Sequence, residues 1–319
     1  MATHLVGFTS RRNKNWFKTD ATSYEEEIPF DDVKEKLFNW QGISHPMAVV
    51  LGDGTVKIDD SRQVILRSDT NEILGVFKTG YKIHQYTDWL LDVAQKIVKD
   101  GLSIARAGVL ELGGTAYVQF ELPDNSTEAD VEYRPYLLAV TSMNGKFSST
   151  FLTMNNILIC DNQITSHLTR NGDNFFRVKH TSNSLPKVAM VQDALGLLKR
   201  EVDYFAEQVR TLSARRVTDE EWCKFLDAHV KVTKGMSKRS ENAAVKKRDT
   251  LHELWTSDER ATPWKNTAWG VIAAVNTYNH HFNLVRNASR EDRNVLRVIT
   301  GQGITHDFDA LSTLNKILG

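Results

Sequence analysis

Basic side chains interleaved with aromatic rings are the residues of this chain best suited to chemistry. Arg67, Lys78, Tyr81 and Lys82 fall in one stretch, and Phe175, Arg177, Lys179 and His180 in another. Lys146 follows an Asn-Gly pair. A third group, Lys238, Arg239, Lys246, Lys247 and Arg248, extends a basic run from Lys231 and Lys234 that only Glu241 relieves. Cations of this kind hold phosphates, and Tyr or Phe rings stack on bases, so the pattern suits single-stranded DNA. Tyr81 and Phe175 are the stacking candidates. A plainer reading fits the same residues: Arg67 pairs with Asp69, and many of the lysines only keep a surface solvated. Basic clustering is a footprint, not a code.

Catalytic constellations are not found. No glycine-rich loop ends in Gly-Lys-Ser or Gly-Lys-Thr, and Gly101 to Gly108 lacks the lysine of a phosphate cradle. No HExxH occurs, and the His280-His281 pair is adjacent, so on a helix the two rings diverge by about 100° and cannot chelate one ion as an i, i+4 pair would. Asp31-Asp32 and Asp59-Asp60 lack a third carboxylate for two-metal chemistry. Cys160 closes an apolar run, the setting of a buried structural thiol. These readings give no catalytic residue, no metal and no cofactor.

The elements that must position the basic residues are hairpins. Val64 to Leu66 and Ile73 to Phe77 flank Ser68-Asp69-Thr70-Asn71, whose side chains favour a turn. Gly52-Asp53-Gly54, Gly113-Gly114 and Asn144-Gly145 mark three more. Thr115 to Leu122 alternates apolar and polar residues, the period of a half-buried strand. Pro29 to Trp40 reads as a short helix, and Asp88 to Lys99 as the helix that covers one sheet face. Phe175 to His180 reads as a strand, whereas the pattern from Asp161 onward reads as helical. Residues 1–28, with Trp16-Phe17, read as an arm that could dock on a neighbour.

Beyond Pro186 the pattern turns helical. Val188, Val191, Leu195, Leu198, Val202, Phe205, Val209 and Leu212 form a heptad seam, which predicts a long helix packed on another helix of the same chain. Thr218 to Glu221 is a capped start, Asn242 to Trp255 and Pro263 to Arg286 continue as helix, and Gly301-Gln302-Gly303 breaks the last one. The expected fold is α+β: an antiparallel hairpin-rich β-sheet with a covering helix (29–184), then a C-terminal all-helical region with a long heptad-patterned helix (185–319).

Charge is unevenly spread. The chain has 40 Lys+Arg and 40 Asp+Glu, yet Arg170 to Arg248 holds 17 of the former and 10 of the latter. That excess can attract a polyanion or the acidic part of another copy. Two cysteines in 319 residues make no disulfide framework. With no signal pattern at the N-terminus and no run of ~20 apolar residues, the expected setting is a reducing cytoplasm without membrane contact.

Several segments together resemble one family. They are RSDTNEILGVFKTGYKIHQ (Arg67 to Gln85), AGVLELGG (Ala107 to Gly114), TSMNGKFSS (Thr141 to Ser149), Cys160-Asp161-Asn162, RVKHT (Arg177 to Thr181) and TPWKNTAWGVIAAVNTYNHH (Thr262 to His281). The chain resembles the phage/plasmid-like protein family, a domain of unknown function found in bacteriophages and plasmids. More remotely it is similar to phage single-strand annealing proteins, by hairpin-sheet architecture alone. The resemblance implies a phage-encoded protein of the host cytoplasm that binds single-stranded DNA and assists annealing and recombination as a homo-oligomer. The alternative is a non-enzymatic phage interaction or structural protein that binds a host protein.

Overall fold

The computed structural model describes residues 6–10, 22–24, 28–92, 103–121, 125–157, 162–164, 175–184, 191–285, 290–300 and 302–319. The fold is mixed α+β, with strands first and helices after. The chain forms two compact units that interleave along the sequence. Unit 1 comprises Met1–Asp124, Tyr136–Thr153 and Asp173–Lys199; unit 2 comprises Asn125–Pro135, Met154–Gly172 and Arg200–Gly319.

In unit 1 all four turn signals resolve as expected. Strands β3 (Gly42–Val50) and β4 (Val56–Arg67) meet across Gly52-Asp53-Gly54, and β4 pairs with β5 (Ile73–Lys78) across the Ser68 turn. Together they form a three-stranded antiparallel sheet. β6 (Ser103–Leu110) and β7 (Thr115–Glu121) pair antiparallel across Gly113-Gly114. Asn144-Gly145 joins β9 (Val131–Ser142) to β10 (Ser149–Ile157). The larger sheet orders its strands β10-β9-β7-β6-β1-β2, with β12 (Phe175–Val178) also on β10. The first two strands, β1 (Val6–Ser10) and β2 (Thr22–Tyr24), are parallel and lie in the segment read as an arm; Trp16 and Phe17 lie outside the described residues.

β7 departs from the half-buried expectation. Thr115, Tyr117, Gln119 and Glu121 are as buried as Ala116, Val118 and Phe120, because both faces of the strand are covered. One face packs on helix α1 (Phe30–Lys36) and on the π-helical turn Thr87–Asp92, through Val33, Leu37, Trp89, Leu90 and Leu91. Cover is therefore shared by two segments. The rest of the helix expected to reach Lys99 lies outside the described residues.

In unit 2 the tail of β10 pairs with β11 (Asn162–Ile164) through Asn155 to Ile157. A strand thus stands where helix was expected from Asp161: the sheet edge offers backbone partners that outweigh local pattern. β8 (Ser126–Glu128) makes a tight hairpin with the start of β9. The heptad seam becomes helix α2 (Val191–Ala214), and its Phe205, Val209 and Leu212 are buried. Phe205 packs edge-on against Tyr133 (4.7 Å) and Trp269 (5.9 Å), the latter on another helix of the same unit. The expected capping box starts helix α3 (Asp219–His229): Thr218 accepts from the Glu221 amide, and Glu221 accepts from that of Thr218. Helix α4 (Lys238–Ser257) brings Trp255 to stack on Trp222 at 4.8 Å. Helices α5 (Ala268–Thr277), α6 (Arg290–Thr300) and α7 (Gln302–Leu318) complete the unit. Among the described residues no helix is long and apolar enough to cross a membrane.

The three-stranded sheet leaves an apolar face in water. Cross-strand register puts Ile43 beside Leu66 and Ile73, and Val64 beside Val76, on one face. Past β5 the β3–β4 ribbon continues alone, exposing Val49, Val50, Leu51, Val56 and Ile58. Eight of the 15 exposed large hydrophobics among the described residues lie between Ile43 and Val76.

Because Phe205 touches both a strand and a helix of unit 2, Phe205→Ala should cost about 3–5 kcal/mol through the cavity it leaves. Urea denaturation checks this; a loss below ~1 kcal/mol would mean the heptad face is not core.

Candidate nucleic-acid interface

The site starts from a column of five rings in unit 1. Phe77, Tyr81, His180, His84 and Trp89 stack in series at 3.9, 4.8, 3.9 and 3.7 Å, nearly parallel throughout. Gly75 permits the first of these: a Cβ there would sit 2.6 Å from the Phe77 ring and 3.0 Å from the Met143 carbonyl oxygen. The polar edges of the column are wired in one direction. His180 Nδ1–H donates to the Lys82 carbonyl (3.1 Å), so its Nε2 accepts from Thr141 Oγ1 (3.4 Å). Thr141 then accepts from Ser149 (2.7 Å), and Ser149 accepts from His84 Nδ1–H (2.6 Å). The remaining His84 nitrogen, Nε2, is buried without a partner. Burial lowers the pKa of His84 to about 3 and that of His180 to about 4, so both rings are neutral at pH 7.

This column places three lysines. Tyr81 N–H donates to the Lys78 carbonyl, and Gln63 Nε2 bridges the carbonyls of Lys78 and Tyr81 at 2.9 Å each. Lys82 N–H donates to the His180 carbonyl (3.2 Å), next to Lys179. Lys78, Lys82 and Lys179 are thereby anchored at one place on unit 1, and all three are exposed. Among the described residues their ammonium groups make no hydrogen bond or ion pair.

The other basic residues singled out in the sequence fare differently. Arg67 forks onto Asp69 (2.7 and 3.0 Å), donates to the Leu112 carbonyl and lies 4.2 Å from the Trp40 ring centre. Lys146 pairs with Glu111, and Arg248 with Asp227 at 2.6 Å. Tyr81 has a ring on each face and donates to the Ser142 carbonyl (3.1 Å), so it has no open face for a base. His180 is buried and uncharged and cannot hold a phosphate. Arg177 is exposed on β12, where Phe175 is the first residue; the Phe175 side chain lies outside the described residues. Lys238, Arg239 and Lys246 are exposed on helix α4 of unit 2, and Lys247 there is partly buried, 5.3 Å from the Tyr278 ring centre. Cys223 is an exposed free thiol, and Cys160 lies outside the described residues. Of His84 and Trp89, which close the column, the sequence carries no functional signal, because His180, on which His84 stacks, comes from a remote segment just past β12.

Residues 73–299, more than two thirds of the chain, match the family described as Domain of unknown function (DUF932). The chain belongs to that family. No curated protein and no solved structure is detectably similar to it. The match in this DUF932 protein starts at the first residue of β5 and includes all five rings of the column.

Neutral histidines in the fold must take up protons on unfolding. The unfolded rings titrate near 6.5 and the folded ones at about 3 and 4. The unfolded chain therefore binds more protons below pH 6.5, and stability falls as pH drops from there. The loss is at most about 1.4 kcal/mol per pH unit per ring. Thermal midpoints at pH 7.0 and 5.0 should differ accordingly, and His84→Phe, which keeps the stack, should flatten the profile. An unchanged profile in that variant would rule out His84 as the titrating group.

Proposed function

We propose that this protein binds single-stranded DNA and assists strand annealing and recombination as a homo-oligomer, encoded by a bacteriophage and working in the host cytoplasm. The observation that carries the reading is the trio of exposed lysines, Lys78, Lys82 and Lys179, whose backbones are anchored at the ring column and whose ammonium groups have no partner among the described residues. Single-stranded backbones are bound by such tracks of cations on a rigid sheet. Rigidity matters because a preorganised charge loses little entropy when the ligand arrives. Lys238, Arg239 and Lys246 supply further exposed cations in unit 2. Annealing is binding plus base pairing, so the reading needs no catalytic group and no cofactor. The resemblance of Arg67 to Gln85 and Arg177 to Thr181 to phage proteins supports the origin.

Self-association is supported by the apolar face of the three-stranded sheet. Ile73 is 65% exposed and Val50 70%, and surfaces of this kind in folded proteins are commonly covered by a partner. Asp53, Lys57, Asp59, Asp60 and Arg62 border it with both signs of charge, which suits a second copy of the same chain. A second reading rests on the same face: a non-enzymatic interaction or structural protein that binds a host protein. The contact surface is then this sheet, since the heptad helix uses Phe205, Val209 and Leu212 inside unit 2.

A fluorescence titration with a labelled oligonucleotide at two salt concentrations tests the first reading. Lys78→Glu/Lys82→Glu/Lys179→Glu should weaken binding and flatten the salt slope by about 2, at ~0.7 per phosphate contact. Absence of binding at low salt would end it. Light scattering should give an oligomer that Val50→Asp/Ile73→Asp converts to monomer. A wild-type monomer that ignores DNA yet retains one host protein would establish the second reading instead.

A further inference from the structure

Unit 2 holds a set of cations that neither the ring column nor the lysine trio uses. Arg290, Arg293 and Arg297 lie at i, i+3 and i+7 on helix α6, hence on one face. All three reach the end of helix α5, where the chain continues as the π-helical turn Tyr278–Phe282. Arg290 Nη1 donates to the carbonyls of Asn283 (3.0 Å) and His280 (3.4 Å). Arg297 Nη1 donates to that of Asn279 (2.7 Å), and Arg293 Nη1 to that of Leu284. Lys247 of helix α4 comes to the same turn from another side, over the Tyr278 ring.

Carbonyls at a helix end favour cations, which accounts for one edge of each guanidinium. It does not account for the rest. Each arginine uses only Nη1, leaving Nε and Nη2, three N–H donors apiece, without a protein acceptor among the described residues. Arg290 and Arg293 are partly exposed, whereas Arg297 is buried beneath the turn. No carboxylate of the described residues lies within ion-pair distance of Arg290, Arg293, Arg297 or Lys247. The neighbouring acid on helix α7, Asp307, is held by Asn276 Nδ2 at 3.1 Å to both oxygens and is pushed up by burial to about 7. Asp309 faces His306.

The cations feel one another. Burial, then Arg293 and Arg290, depress the pKa of Arg297; His306 is depressed by burial and by Arg297, Lys247 and Arg293. Half-buried like charges with no counter-charge among the described residues are costly, and a bound anion removes that cost. The partly exposed guanidinium forks of Arg290 and Arg293, with Lys247 beside them and Arg297 behind, match the tetrahedral oxygens of phosphate.

We propose that Arg290, Arg293, Arg297 and Lys247 form a binding site for a phosphate group at the Tyr278–Phe282 turn. The phosphate belongs either to a free phosphate compound or to a polynucleotide backbone. The site is independent of the lysine trio, which lies in unit 1.

Calorimetric titration of the full chain with inorganic pyrophosphate, and separately with a single-stranded oligonucleotide, tests this. Arg293→Gln and Lys247→Met are the variants, each checked for native circular dichroism; Lys247→Met keeps the apolar stem over Tyr278, so it still decides if the first fails to fold. Saturable pyrophosphate binding that both variants weaken about tenfold or more, and that Lys78→Glu/Lys82→Glu/Lys179→Glu leaves alone, supports the site with a free phosphate ligand. No pyrophosphate binding, but oligonucleotide affinity reduced by both variants, supports it with a backbone phosphate. If neither variant changes the binding of either ligand, the proposal is overturned. Failure of the lysine-trio variant to affect DNA would count against the annealing reading alone.

Discussion

A reciprocal pair of hydrogen bonds between Lys82 and His180 fixes the geometry of unit 1. The Lys82 amide donates to the His180 carbonyl, and His180 Nδ1 donates to the Lys82 carbonyl. The two residues are 98 positions apart, so this clamp closes a long loop. Its strength comes from burial: water cannot compete for either bond once the ring column is stacked over them. Everything polar on the column's edge follows from the tautomer that the clamp imposes. With Nδ1 protonated, Nε2 must accept, and the Thr141–Ser149–His84 chain has one consistent direction of donation.

The same clamp sets the electrostatics. Removing His180 and Tyr81 from solvent takes away one positive charge and one stacking face that a basic, aromatic sequence advertises. What remains outside are Lys78, Lys82 and Lys179, whose ammonium groups have no partner among the described residues. Other cations of the unit are paired: Lys36 with Asp32, Arg62 with Asp59, Arg67 with Asp69 and Lys146 with Glu111. Exposed pairs of this sort contribute little stability, but they do withdraw charge from any ligand. The distribution of free charge is therefore narrower than the composition suggests, and confined to particular strand ends and helix faces.

The apolar sheet shows a different compromise. β3 carries no Lys, Arg, Asp or Glu along Gly42–Val50, so it lacks the charges that usually protect an edge strand from pairing. Pro46, at a register shift, is the only blunting device in it. Exposed valines and isoleucines beside such an edge raise the risk of aggregation unless another surface covers them.

Local chemistry alone specified the hairpins, the capped helix at Thr218 and the seam through Phe205, Val209 and Leu212. Turn residues and hydrophobic period act over a few neighbours, so they are legible in one dimension. Glycine at position 75 is visible too, but its reason, the Phe77 ring lying over it, is not. Which cations stay free, which histidines lose their charge, why Asn162 to Ile164 is a strand, and why three arginines gather at one turn depended on tertiary structure. Those outcomes are set by burial and by partners far along the chain. A desolvated ring shifts its pKa, and an unpaired edge takes whichever segment folding brings to it, neither of which nearest neighbours encode.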